Sequence, residues 1–361
     1  MENECFLLCN TGSSSIKLAL ASFEQGVFNQ VNVELTDVGL IEALQGFLAD
    51  LPSLSGVLHR IVHMGEAEEG PLAVTASSLQ RISHWASLAP LHNYQALDVI
   101  EIITRRFGDL PQWLFSDSGL YRNLSALRKL VPLPQSLSTD WPLQRYGFHG
   151  LAHRNMWRQL PSSLRAKKVI TLQLGSGCSA TAWDKGEALE NSMGFSPLDG
   201  LCMRSRSGNV DPGVLLHLLS NAEFGVEALN HLLTQGAGLK GISGLSGDMR
   251  ELLQSHDERA QLAVDYFCDA VTRVIGAQMV TMGGIDGICF GGGVGENQPA
   301  IRAKILAPLL AFGADLAPEL NGKNAAFRQL NKTGSCMIYL TPVNEMQEMF
   351  GQYTEKFRPQ R

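Results

Sequence analysis

The stretch Phe6-Leu-Leu-Cys-Asn-Thr-Gly-Ser-Ser-Ser-Ile-Lys-Leu-Ala-Leu20 decides how the rest of the chain is read. An apolar run stops at a glycine and three serines and restarts with alternating apolar residues, the pattern of a strand, a tight turn and a returning strand. Gly12 allows the backbone to approach a ligand closely, the hydroxyls and turn amides can donate to phosphate oxygens, and Lys17 adds positive charge at the rim. An ordinary Ser-rich β-turn fits the same pattern, and no Gly-Lys-Ser/Thr follows at the spacing of a Walker loop. The stretch by itself leaves both readings open.

A second copy shifts the balance. Val169-Ile-Thr-Leu-Gln-Leu-Gly-Ser-Gly-Cys-Ser-Ala-Thr-Ala-Trp183 repeats the plan, with Gly175 falling on Gly12 and Asp184-Lys-Gly forming the next turn. Paired hairpins predict a duplicated α/β architecture of the actin-like and sugar-kinase-like ATPase kind, with two domains and a nucleotide cleft between them. Further on, the strand Gly287–Phe290 runs into Gly291-Gly-Gly-Val-Gly-Glu-Asn297, a glycine loop ahead of a helix near Pro299, where backbone amides can meet a nucleotide.

Composition narrows the classes. At 361 residues, 45% hydrophobic and 18% charged, the chain can bury a large core and fill two domains. A net charge of −6 without a basic run argues against nucleic acid as a partner. The seven cysteines are scattered and form no Cys-x-x-Cys pair, which points to reduced thiols rather than a disulfide framework or zinc site. The acidic opening Met-Glu-Asn-Glu is unlike a signal peptide and no run of eighteen apolar residues occurs, so the expected setting is the cytoplasm, away from membranes.

Along the chain, Leu40 to Leu48 has helical spacing, and Gly56-Val-Leu-His-Arg-Ile-Val-His63 reads as an apolar strand interrupted by His59, Arg60 and His63. A histidine there is ordinarily a satisfied core group, whereas an arginine is seldom buried without a partner. Asn93 is expected to cap a helix from Tyr94 to Phe107. Trp113-Leu-Phe-Ser-Asp117 ends a strand on a carboxylate, and His149 lies in a loop next to Gly150. Asp211 and Pro212 open one helix, Asp248 heads a short helix containing Arg250, and Glu258 to about Met282 is a long, mostly apolar helix.

Seven ordered motifs resemble the acetate kinases and their short-chain carboxylate kinase relatives: Asn10-Thr-Gly-Ser-Ser-Ser-Ile-Lys17, His59-Arg-Ile-Val-His63, Ala89-Pro-Leu-His-Asn93, Tyr146-Gly-Phe-His-Gly150, Ser192-Met-Gly, Arg206-Ser-Gly and Gly292-Gly-Val-Gly-Glu-Asn297. The resemblance implies a homodimer that reversibly transfers the γ-phosphoryl group of ATP to acetate, giving acetyl phosphate and ADP. Magnesium would be the metal, with manganese as its substitute. Propionate or another short carboxylate is the alternative acceptor, and a catalytically weakened nucleotide-binding paralogue the alternative of a different class. The expected domains are residues 1–148, completed by a C-terminal helix at about 344–361, and a nucleotide-binding domain at 149–343.

The same resemblance assigns roles. Asn10 and Glu345 would position the metal, and Ser13, Ser15 and Lys17 would hold phosphate oxygens. Arg60 and Arg206 would grip the carboxylate and the moving phosphoryl group, with His149 on its equatorial oxygens. Val62, Leu91, Phe148 and Pro197 would line the acetyl methyl. On the nucleotide side stand Gln173, Leu174, Gly175, Ser176, Gly177, Asp248, Met249, Arg250, Gly293, Val294, Gly295, Glu296 and Asn297. Asp117 is often made a proton acceptor in the family, yet a carboxylate with a pKa of roughly 4.3 is already ionised at neutral pH. Asp117 is therefore expected to orient an arginine or a metal-bound water, with a plain strand-end turn as the other reading.

Departures from the family pattern cluster in the second hairpin, where Gln173 replaces His, Ser176 replaces Asn and Cys178 replaces Gly. Arg204 replaces a Gly, Asn209 an Asp and Tyr121 a His. Arg204 reads either as compensation for the missing histidine charge or as a solvated loop residue.

Overall fold

The computed structural model describes residues 4–12, 15–34, 53–138, 142–220, 224–322 and 327–358. β1 (Cys5–Thr11) is buried along its whole length, and its side chains divide by parity as a pleated strand requires. Cys5, Leu7 and Cys9 face Val99 and Ile103 of the helix Pro90–Phe107. Phe6 and Leu8 face Met346, Met349, Phe350 and Tyr353 of the helix Glu345–Phe357, with the Phe6 and Tyr353 rings 4.8 Å apart. Each such side chain contributes about 1.5–3 kcal/mol when fully buried.

The first sheet adds β2 (Ser15–Ser22), β3 (Gly26–Glu34), β4 (Gly56–Ile61), β5 (Leu72–Ala73) and β6 (Gln112–Ser116), in the order β3-β2-β1-β4-β6-β5. The second holds β7 (Val169–Leu174), β8 (Cys178–Asp184), β9 (Glu187–Asn191), β10 (Gly287–Gly291), β11 (Arg328–Gln329) and β12 (Met337–Leu340), in the order β9-β8-β7-β10-β12-β11. Placing β7 on β1 matches the two sheets strand for strand. In each, an antiparallel three-strand meander joins two parallel strands and an antiparallel edge. This is the duplicated α/β plan read from the hairpins.

The chain divides into two compact units. One comprises Met1–Asn123, Phe148–Asn155 and Asn344–Arg361, the other Leu124–Gly147 and Met156–Val343. In the second unit the helix Glu258–Met282 buries Val264, Phe267, Cys268, Val271 and Ile275 and packs on β8, where Gln278 donates to the Ala180 carbonyl at 3.1 Å. Asp257 caps its start, accepting the Arg259 amide at 2.8 Å, and Gly283 ends it in the left-handed region at φ 67°.

Two local expectations change. Asn93 does not cap a helix, because the helix begins earlier, with Pro90 in its first turn and Ala89 as N-cap. The Asn93 carboxamide instead pairs with the His63 backbone, accepting its N–H at 3.2 Å and donating to its carbonyl at 2.7 Å. Asn93→Ala should orphan both buried groups at about 1–3 kcal/mol each, and a thermal melt unchanged from wild type would show that water replaces the carboxamide. The glycine segment after β10 is not an open loop but a helical turn, Gly292–Asn297, followed by the helix Pro299–Leu306. Glu296 folds it by accepting the Gly292 N–H at 3.0 Å. The helical pattern at Leu40–Leu48 lies outside the described residues.

Candidate active site

Three parallel neighbours bring the first cluster together. The registers Cys9↔His59 and Ile61↔Ser116 set Asn10 beside Arg60 and put Asp117 just past the end of β6. Arg60 reaches Asp117 Oδ2 through Nη2 at 2.6 Å and Nε at 3.1 Å, while its Nη1 donates to Asn10 Oδ1 at 2.9 Å. Glu345, first residue of its helix, lies 3.2 Å from Arg60 Nη1 and accepts from Asn10 Nδ2 at 2.5 Å. Asp117 is fully buried, and its Oδ1 accepts the Leu151 amide at 3.2 Å. Burial pushes the Asp117 carboxyl up and Arg60 opposes it, the net position lying above the ordinary value. Burial also disfavours the charged guanidinium, but Asp117 and Glu345 outweigh it and hold Arg60 firmly protonated.

His149 follows this cluster in sequence space through a tight passage. Its φ is 58°, and at Gly150 a Cβ would lie 2.1 Å from the Asp117 carbonyl, so only glycine lets the chain pass there. Tyr121, standing where the family has His, donates its hydroxyl to the Phe148 carbonyl at 3.1 Å and so fixes the residue before His149. Val62 and Phe148 are buried in the same unit. Leu91 lies in the helix Pro90–Phe107. In the first hairpin the Gly12 amide donates to the Ser15 carbonyl at 2.8 Å, and Lys17, paired with Asn10 in the sheet, is exposed. Ser13 lies outside the described residues.

The two histidines of the β4 segment are core groups. His59 bonds Gln112 at 2.8 Å and is pushed down to about 4 by burial. His63, pushed down to about 3 by burial, stacks on Trp85 at 4.8 Å, and its Nδ1 accepts the Gly65 amide at 3.0 Å. Both are neutral near pH 7, which leaves Arg60 as the charged member of that segment.

A second cluster forms in the other unit. The Gly175 amide closes its turn on the Gly177 carbonyl at 3.0 Å, and a Cβ on Gly175 would stand 3.6 Å from Gln173 Nε2 and 3.8 Å from the Gly293 nitrogen. Gln173, the turn and the start of the Gly292–Asn297 helix therefore converge. Gln173 Oε1 is buried with no partner among the described residues. Cys178 Sγ donates to the Gly175 carbonyl at 3.3 Å, and burial pushes its thiol up to about 12. Asp248 caps the helix Met249–Gln254 and holds Arg250 through Nε at 3.0 Å and Nη2 at 2.6 Å. Arg250 holds its carboxyl down to about 2. Arg206 Nη1 donates to the Pro197 carbonyl at 3.2 Å. Asn209 closes its loop on Gly200 with two bonds of 2.9 Å, the side-chain one accepted by an oxygen that Asp would equally supply.

Not every nucleotide-side residue faces a ligand. Leu174 and Met249 are buried, Gly295 is packed, and Val294 is half-buried, whereas Gly293 and Asn297 are exposed. Glu296 braces the fold, since its Oε1 accepts the Val343 amide at 3.0 Å besides that of Gly292. Arg302 escapes sequence reasoning, being one of two basic residues in a short helix. It is fully buried and closes the far end of the glycine turn, donating to the carbonyls of Gly295 at 2.7 Å and Glu296 at 2.9 Å.

A model of the acetokinase family matches residues 30–349. The chain belongs to that family. It is 39% identical over 282 residues to the acetate kinase of Gloeobacter violaceus, covering 76% of this chain and 69% of that one. Among solved structures, a propionate kinase from Francisella tularensis superposes with a TM-score of 0.88 at 28% identity, over 96% of this chain and 98% of that one. The acetate kinase of Porphyromonas gingivalis gives 0.86 at 27% identity, over 98% and 99%. Membership of the acetokinase family makes the chain a kinase.

Proposed function

We propose that the chain reversibly transfers the γ-phosphoryl group of ATP to acetate, forming acetyl phosphate and ADP. The observation that carries this reading is the buried Arg60–Asp117–Asn10–Glu345 cluster, a fixed cation of known orientation beside oxygen donors. Phosphoryl transfer asks for positioning and charge stabilisation more than for proton movement. Arg60, its fork held by Asp117, Asn10 and Glu345, sets positive charge beside the acceptor carboxylate, Arg206 offers its fork to the moving phosphoryl group, and His149 donates to its equatorial oxygens. Asp117 has both oxygens engaged, by Arg60 and by the Leu151 amide, so it orients the arginine and accepts no substrate proton.

The donor set suits magnesium: the Glu345 carboxylate and Asn10 carboxamide are hard oxygen ligands, and this ion is commonly held by one or two carboxylates plus substrate phosphates. When bound, it neutralises phosphate charge. Ser15 and Lys17 of the first unit, and Gln173, Gly175 to Gly177, Asp248, Arg250, Gly293 and Asn297 of the second, are the phosphate and nucleotide contacts in this reading. The homodimeric state and cytoplasmic setting belong to the same proposal.

A propionate acceptor is the second reading, favoured by the likeness to the Francisella enzyme. Val62 and Phe148 keep bulk at the methyl end, which favours acetate. A coupled assay of ADP formation with magnesium and ATP should give acetate a kcat/KM about 10- to 200-fold above propionate, the value of one methylene. A higher constant for propionate would reassign the acceptor and keep the chemistry. Absence of turnover with either acid in a folded, nucleotide-binding chain would establish the weakened paralogue.

A further inference from the structure

Arg204, a glycine in the family pattern, has a backbone pinned on both sides. Its N–H donates to the Ser176 carbonyl in the second turn at 3.2 Å, and its own carbonyl accepts the Lys240 amide at 3.0 Å. Adjacent bonds hold the loop around it: the Met203 amide to the Arg206 carbonyl at 3.1 Å, and Ser205 Oγ to the Thr234 carbonyl at 3.2 Å. Arg204 and Arg206 leave this loop for different neighbours. Arg206 turns to Pro197, while Arg204 runs over Gly247, where a Cβ would stand 2.6 Å from Arg204 Cγ. A side chain at position 247 would close that path.

The path leads to Asp248. That carboxylate is already spent, because Arg250 takes Oδ1 through Nε and its own amide and takes Oδ2 through Nη2. Arg204 makes no ion pair with it and acts on it only through its charge. Arg204 is exposed, and its guanidinium makes no hydrogen bond to any described residue. A planar fork of five donors on a fixed backbone, beside a turn of small residues, matches a ligand with several anionic oxygens. Both arginines act on the Asp248 carboxyl, Arg250 more strongly.

We propose that Arg204 is an additional phosphate-binding residue, gripping a diphosphate from the Asp248 side of the second turn. The inference rests on the kinase reading above and adds a contact that the family pattern lacks. The chemistry is common to a nucleoside diphosphate and inorganic pyrophosphate. It also restates the compensation expected for Gln173: Arg204 restores positive charge by a route along Gly247, not by replacing the histidine contact itself.

Calorimetric titration of wild type, Arg204→Gly and Arg204→Lys with ADP and, separately, with pyrophosphate tests it, each at two salt concentrations. Arg204→Gly should lose about ten-fold in affinity for one or both ligands, as expected when a charge-assisted contact disappears. Its affinity should also depend less on salt than that of wild type, and Arg204→Lys should recover part of the loss. Loss confined to ADP identifies the nucleotide as the source, and loss confined to pyrophosphate the inorganic ion. Unchanged affinity for both, or equal salt dependence in wild type and Arg204→Gly, overturns the inference and leaves the kinase reading standing. A wild type that binds neither ligand overturns both.

Discussion

Arg60→Ala is expected to lower kcat by about 100- to 1,000-fold, the usual cost of removing one preorganised donor from a site where charge develops. The same change should destabilise the fold by about 3–5 kcal/mol, because it strands the fully buried Asp117 carboxylate without its cation. The two effects separate by mutation and by pH. In Arg60→Ala the carboxyl loses its main opposing charge and rises further above its ordinary value, so the native state holds a proton that the unfolded chain releases. Stability contributed by that proton is present at low pH and is lost as pH rises through the raised native value. The gap in melting temperature from wild type should therefore be wider at pH 8 than at pH 5. Asp117→Asn in the same chain should recover most of the stability and none of the rate. A gap independent of pH would mean that water, not burial, surrounds the carboxylate.

Arg206→Ala should match that rate loss with a smaller loss of stability. Arg206 is half-buried and donates to the Pro197 carbonyl at 3.2 Å. Because Arg206 is only half-buried, the variant should melt closer to wild type than Arg60→Ala does, while kcat falls about 100- to 1,000-fold. With wild-type turnover in a folded Arg206→Ala, the assignment of that loop to phosphoryl transfer would fail.

Much of this was legible in the sequence, for physical reasons that also mark where legibility stopped. The hairpins at Gly12 and Gly175 were readable because strand alternation and small-residue turns are local signals, and two copies carry more than one. Arg60 stood out because a charged residue in an apolar strand requires a partner. Its partners did not stand out: Asp117 and Glu345 lie 57 and 285 residues away, the first brought in by the parallel register of β4 and β6 and the second by the helix Glu345–Phe357 packed on the sheet. Asn93 fits the local pattern of a cap, while its partner, the His63 backbone, is thirty positions distant. Glu296 and Arg302 have the same cause. Each works on backbone groups, which leave no trace in residue type.

The position of the helix Glu345–Phe357 has a consequence for the newly made chain. Its Met346, Met349, Phe350 and Tyr353 cover the face of the first sheet formed by Phe6, Leu8, Leu58 and Phe115. β6, the last strand of that sheet, ends at Ser116, so 228 residues pass before the helix begins. At about 5–20 residues per second, translation takes roughly 10–50 s to supply it. For that interval an apolar face waits on the ribosome without its cover. Chaperone capture of nascent chains should accordingly persist long after the first sheet has emerged and end as the last helix leaves the exit tunnel. Truncation before Glu345 should make that capture permanent, whereas Phe350→Ala should only prolong it.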